Sequence, residues 1–261
     1  GNYGLRMASL GRPGSGRACM TVIRPSVFPP GITAAFSTRN GGVSPPPLGM
    51  NLSFNVGDDP ANVRENREIF FGALGIPPGR LAFPGQVHGT TVQHVKGPGE
   101  FPGTDALISS EPDLFLCVSV ADCVPILLFD PLHSAVGAVH AGWRGTASAI
   151  VVAAVEAMQA EFGTLPAGLI ASIGPSASDC CYRVGVEVAS RFPRSFVRQR
   201  NGDSFVDLKG ANRSQLLKTG LLPGNIELSP YCTISDTRLF HSFRRDGAKS
   251  GRMMGVIGRM A

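Results

Sequence analysis

The chain has 261 residues, 43% of them hydrophobic and 16% charged, which supplies a sizeable core and excludes a disordered or fibrous polypeptide. Its 33 glycines and 21 prolines are scattered between apolar runs without a repeat, so they mark tight turns and not collagen or low complexity. The net charge of +5 is a mild excess that a generic basic surface explains, so no nucleic-acid partner is expected.

Residues 1–30 hold Gly11, Pro13, Gly14, Gly16, Pro25, Pro29 and Pro30 with little periodicity and read as a loosely ordered lead-in. They contain no apolar core followed by a small-residue cleavage site, so no secretory signal is expected. A β-type run at 33–37 follows, and then a helix opens at Asp59-Pro60. That helix carries Val63, Ile69, Phe70 and Leu74 on one face and stops at Gly75.

Further β-type runs lie at 114–120, 126–129, 135–140, 169–173 and 255–257. The most apolar stretch, 114–129, is interrupted by Asp122 and Pro125 and is too short to span a bilayer, so no membrane partner is expected. A second helix is expected from about Thr146, with Val151, Val155, Met158 and Phe162 on one stripe and a stop at Gly163. A third is capped by Asp207 and presents Ala211, Gln215 and Leu216 before Gly220. Strands outnumber helices without strict alternation, which predicts an α+β fold of mixed or antiparallel sheets covered by helices, in one domain over 31–261.

Six cysteines, Cys19, Cys117, Cys123, Cys180, Cys181 and Cys232, are irregularly spaced in a long chain. That pattern favours a reducing, cytoplasmic setting with thiols free for metal binding or catalysis over a disulfide framework. The stretch from Val120 to Gly145 carries the chemistry. Read as a hairpin with a two-residue loop at Pro131 and Leu132, it sets Asp130 opposite His133 and Cys123 opposite His140, with Cβ atoms about 5 Å apart. A five-residue loop would put the pair on opposite faces unless Pro125 or a bulge restored the register.

A third candidate, His88, sits in the glycine-bounded turn Gly85-Gln86-Val87-His88-Gly89. His88, Cys123 and His140 would make a zinc site with one open position, suited to activating an oxygen nucleophile. Singly, each has a plainer reading, the cysteine as a small core hydrophobe and the histidines as satisfied polar groups. The turn Gly142-Trp143-Arg144-Gly145-Thr146 enters a helix and offers a phosphate seat on backbone N–H groups and Arg144, or an ordinary strand-to-helix turn. Two cationic segments could close over the site. One contains Arg39, and the other runs from Phe243 through Arg244 and Arg245 to Asp246, with Gly251-Arg252 beyond. P-loop, dinucleotide-binding and GxSxG signatures are absent.

Motifs in one order across the chain from Phe36 carry a resemblance. They include Phe36-Ser-Thr-Arg39-Asn-Gly-Gly42, Gly57-Asp-Asp-Pro60 with Asn66-Arg67, Gln86-Val-His88-Gly89 and Thr104-Asp-Ala106. They continue with Ala121-Asp-Cys123-Val-Pro125, His140-Ala-Gly-Trp-Arg-Gly145, Cys181-Tyr-Arg-Val-Gly185, Cys232-Thr233 and Ser242-Phe-Arg-Arg-Asp246. With these the chain resembles the YfiH-like proteins, also called the laccase-domain or multi-copper polyphenol oxidoreductase family and associated with purine nucleoside phosphorylase activity.

The resemblance implies layered mixed sheets flanked by helices, similar in plan to the catalytic domain of the cytotoxic necrotizing factor deamidases, and a metal on His88, Cys123 and His140. The implied activity is phosphorolysis of adenosine, inosine, guanosine and methylthioadenosine by inorganic phosphate, with adenosine deamination besides. In that reading zinc polarises an oxygen while Arg144, Arg39 and Arg245 hold phosphate, with Gly142, Gly145 and Thr146 forming its seat. Two departures stand out: Asn55 replaces a histidine common in relatives, and Arg183 an acidic residue. Alternatives are a metal-free cysteine hydrolase or deamidase using Cys123 and His140, and a non-catalytic factor in cell-wall precursor editing. A copper-dependent phenol oxidase fits least, because a multi-copper site needs many histidines and this chain has five.

Overall fold

Strand runs that are apolar at nearly every position need cover on both faces, and the structure supplies it. A computed structural model describes residues 6–10 and 20–261. Among the described residues, seven strands form one mixed sheet in the order Arg6–Leu10, Met20–Arg24, Ile32–Ser37, Met253–Arg259, Phe115–Val120, Leu81–Gly85 and Gly99–Pro102. Six form a second, in the order Ile226–Leu228, Ile170–Ile173, Val124–Asp130, Ala135–Ala141, Ala106–Ser109 and Val92–His94. A small third sheet joins Arg183–Val184, Asp203–Val206 and Val197–Arg200. The α+β class with mixed sheets is as expected.

The period of two assigns each strand's side chains to different layers. Leu116 and Val118 of the first sheet meet Leu127, Phe129 and Ala138 of the second in a core between the sheets. Phe115 and Cys117 point the other way, against Phe70 and Phe71 of the helix Pro60–Ala73. Ile126 and Leu128 pack outward against Val151, Val155 and Met158 of the helix Ile150–Phe162, and Leu216 of the helix Leu208–Lys218 joins the same cluster. The layers therefore run helix, sheet, sheet, helices.

The helix starts follow the expected chemistry. The Asp59 carboxylate accepts from the Ala61 N–H at 2.8 Å ahead of Pro60, and Asp207 accepts from the Gly210 N–H at 2.9 Å. The single helix expected from Thr146 is instead two, Trp143–Ala147 and Ile150–Phe162, because Ala149 takes a left-handed backbone with φ 59°. A second difference concerns the lead-in expected over residues 1–30. Arg6–Leu10 and Met20–Arg24 are paired antiparallel strands, and the latter also pairs with Ile32–Ser37. Burial explains this: Met20 and Val22 enter the outer core and Ile23 the inter-sheet core. Gly11, Pro13, Gly14, Gly16 and Cys19 lie outside the described residues.

Candidate metal centre

The hairpin of the second sheet turns through four residues, Pro131 to Ser134, and not two. Asp130 pairs with Ala135 and His140 with Pro125. Asp130 does not face His133 across the ladder but binds it within the turn, accepting from the Leu132 N–H at 2.9 Å and contacting His133 Nδ1 at 2.7 Å. A shift of two residues preserves the face, so Cys123, two before Pro125, lies diagonal to His140 on the same side. His88 joins them from the turn after Leu81–Gly85 in the other sheet. The ligand atoms of His88, Cys123 and His140 all lie within 4.8 Å of one another, with the two imidazole rings 4.9 Å apart.

The buried Asp105 carboxylate organises this arrangement from the start of Ala106–Ser109. It accepts from the backbone N–H groups of Val87 at 3.2 Å, His88 at 2.9 Å and Gly89 at 2.7 Å, and from His140 Nδ1 at 2.8 Å. A carboxylate only accepts, so Nδ1 of His140 carries the proton and Nε2 is left for the cluster. The same carboxylate holds His88 in a left-handed conformation, φ 62°. Burial acts to raise the Asp105 carboxyl, but the bonds from His140, Gly89 and Val87 outweigh it and hold the group below its ordinary range. Burial likewise acts to raise the Cys123 thiol. The charge of His140 and hydrogen bonds from both histidines overcome it and push the thiol down, while burial acts to lower His140 and Cys123 and Asp105 outweigh it and push the imidazole up.

Asp105 has no assigned role at the sequence level. Its position 16 to 35 residues from its partners hides it; the signal that could reveal it is an acidic residue at the head of a fully buried apolar strand. Gln86 is a second such residue. Its amide exchanges two hydrogen bonds with the Ser119 backbone, at 2.7 and 2.8 Å, and so ties the His88 turn to the neighbouring strand.

The cluster opens into a cavity of about 570 Å³ lined by Ser53, Asn55, Gln86, Ser119, Phe243 and Arg252 together with the three ligands. Arg252 is the cationic side chain in its wall, with Nη1 donating to the carbonyls of Ser250 and Gly251 at 2.8 and 3.0 Å. The other expected anion holders are placed elsewhere. Arg245 commits its guanidinium to Asp246 and to the carbonyls of Thr233, Ile234 and Phe240. Arg39 donates to the carbonyls of Thr237 and Pro47. Arg144 is exposed, its guanidinium 4.4 Å from the Trp143 ring centroid. Trp143 borders a second cavity of about 420 Å³, shared with Arg183 and Arg244.

The glycine turn is filled. A Cβ on Gly142 would stand 3.0 Å from His88 Cδ2 and 3.1 Å from Cys123 Sγ, and one on Gly145 would meet the Gly89 carbonyl at 3.2 Å. Thr146 is fully buried, its N–H bonded to Gly142 and its hydroxyl accepting from Asn212. Gly142 thus makes room for the ligand cluster, and none of these three residues lines the 570 Å³ cavity.

A family profile described as multi-copper polyphenol oxidoreductase laccase matches residues 33–260. The chain is 41% identical to a purine nucleoside phosphorylase of Deinococcus radiodurans over 229 residues, 86% of this chain and 88% of that one. Its fold superposes on the crystal structure of YlmD from Geobacillus stearothermophilus with a TM-score of 0.87 at 33% identity, covering 97% of this chain and all of that one. The Bacillus licheniformis hypothetical protein YfiH is similar with a TM-score of 0.84 at 32% identity, over 95% and 98% of the two chains.

Proposed function

Because the chain belongs to the multi-copper polyphenol oxidoreductase laccase family, the YfiH-like proteins, we propose that it is a zinc-dependent purine nucleoside phosphorylase. The observation that carries this reading is one oriented two-imidazole, one-thiol cluster at the wall of a cavity whose volume suits a small-molecule site. The donor set fits a single tetrahedral ion with one position open. It fits a multi-copper centre poorly: His94 pairs with Glu161, His133 with Asp130, and His241 is enclosed beside Gly251.

His88, Cys123 and His140 would hold the zinc, which when bound supplies Lewis-acid polarisation of an oxygen at its open position. Asp105 keeps Nε2 of His140 directed at the cluster. Arg252 takes the phosphate, and the exposed Phe243 ring offers a face to the purine. A phosphate oxygen displaces the base at C1′, giving ribose 1-phosphate, and the departing base takes a proton. Adenosine, inosine, guanosine and methylthioadenosine share the bond that breaks; deamination of adenosine would use water in the same cavity. The test is Cys123→Ala, expected to keep the fold and lose turnover together with the zinc held at this cluster. A folded variant with full activity contradicts the reading.

A second reading rests on the Asp105, His140 and Cys123 relay with its depressed thiol: a metal-free cysteine hydrolase or deamidase. Metal-stripped protein that retains activity and loses it to thiol alkylation would favour that chemistry.

A further inference from the structure

A second sulfur cluster lies outside the cavity. The thiol sulfurs of Cys180, Cys181 and Cys232 lie within 4.8 Å of one another, those of Cys180 and Cys181 at 3.0 Å. Three separate constraints assemble them. The turn Ser178 to Tyr182 is closed by Cys181 N–H and Tyr182 N–H on the Ser178 carbonyl, at 3.0 and 2.8 Å, and presents the adjacent pair. Arg200 clamps that turn through the carbonyls of Asp179 and Cys180, at 3.2 and 2.6 Å. Cys232 arrives from 51 residues further on, held by a parallel bridge to Ser176, with the Thr233 N–H on the Ser176 carbonyl at 3.1 Å.

The chemistry of this cluster is that of a soft-cation site. A disulfide takes two thiols and would leave the third beside it unpaired, whereas zinc with Zn–S bonds of about 2.3 Å gathers three sulfurs about 3.8 Å apart. The buried Lys209 ammonium is fixed on the carbonyls of Ser229 and Tyr231 at 2.9 Å each and so anchors the segment that leads into Cys232. We propose that Cys180, Cys181 and Cys232 form a second metal site, which binds a thiophilic cation such as Zn²⁺ through three thiolates and serves a structural role.

The site has a route to the cavity. Thr233, next to Cys232, donates its hydroxyl to Asp122 at 2.7 Å, and Asp122 precedes Cys123 with a left-handed φ of 92°. A cation that pins Cys232 to the turn at Ser178–Tyr182 steadies the segment on which Asp122 and Cys123 depend.

The experiment uses the reduced full chain carrying Cys123→Ala, which removes the thiolate of the first cluster, with Co²⁺ as an optical probe and Zn²⁺ as competitor. The expected result is one Co²⁺ per chain with sulfur-to-cobalt charge transfer, displaced by Zn²⁺. Adding Cys180→Ser, at an exposed position, should weaken binding on the order of tenfold or more. Zn²⁺ should also protect Cys180 and Cys181 from alkylation. The proposal is overturned if Cys123→Ala alone abolishes thiolate charge transfer, if Cys180→Ser leaves it unchanged, or if the three sulfurs hold a disulfide and bind no metal. Cys181→Ser repeats the test should Cys180→Ser fail to fold.

Discussion

At Gly142 a single hydrogen in place of a methyl group lets His88, Cys123 and His140 meet. Gly142→Ala puts a Cβ at 3.0 to 3.1 Å from His88 and Cys123, so metal affinity and turnover are expected to fall by roughly 10- to 100-fold, the range for losing a group that orients a metal ligand. Thermal stability should change little, because the backbone there is extended, φ −69° and ψ 177°; titration calorimetry beside a melting curve checks both. His241 gives a pH prediction. Burial, then the Arg39 charge, push this fully enclosed imidazole down to about 3, against Asp246, which raises it, and with Arg252, which lowers it further. A base with a depressed native pKa contributes stability that is complete above its unfolded value of about 6.5 and is lost as pH falls through the native one. Unfolding free energy should therefore fall between about pH 6.5 and 3, with a slope of up to about 1.4 kcal/mol per pH unit from this group. Denaturant titrations on His241→Phe should show a flatter profile. At this scale the triad was legible: His88, Cys123 and His140 stand in turns and strands whose periodicity is readable. Asp105 and the engaged donors of Arg245 were not, since both depend on partners brought together by folding.

Among the elements, the break between Trp143–Ala147 and Ile150–Phe162 falls at one residue. Ala149 occupies a left-handed conformation that an L side chain adopts at a cost of roughly 1 kcal/mol. Ala149→Gly should stabilise the chain by up to about 1 kcal/mol, less whatever glycine loses through unfolded-state entropy; destabilisation beyond about 1 kcal/mol contradicts this. In the layer between the sheets, Leu127→Ala removes a fully buried side chain and should cost about 2–5 kcal/mol, measured by chemical denaturation. The strands of this layer were readable as continuous apolar runs because both faces are covered. Strands at sheet edges, Gly99–Pro102 and Val92–His94 among them, carry Glu100 or Gln93 and only partial burial, so no apolar pattern announces them. Arg6–Leu10 was hidden by the prolines and glycines around it. The hairpin turns through four residues where the spacing predicts two, yet Cys123 and His140 still share a side, because a slip of two residues keeps side chains on their face.

For the whole molecule, the two sheets matter as a way of bringing distant sequence together. The second sheet supplies Cys123 and His140, the first supplies His88 from the turn after one strand and the Ser119 wall from another, and Asp105 binds the two halves. No helix among the described residues is long and apolar enough to cross a membrane. The proposed phosphorolysis would require phosphate as a reactant, and that requirement separates it from every hydrolytic alternative. The direct measurement is incubation of the purified, zinc-loaded chain with adenosine, with and without inorganic phosphate, and chromatographic separation of the products. Adenine and ribose 1-phosphate formed only when phosphate is present is the expected result; no adenine under either condition, or adenine formed equally without phosphate, would contradict it.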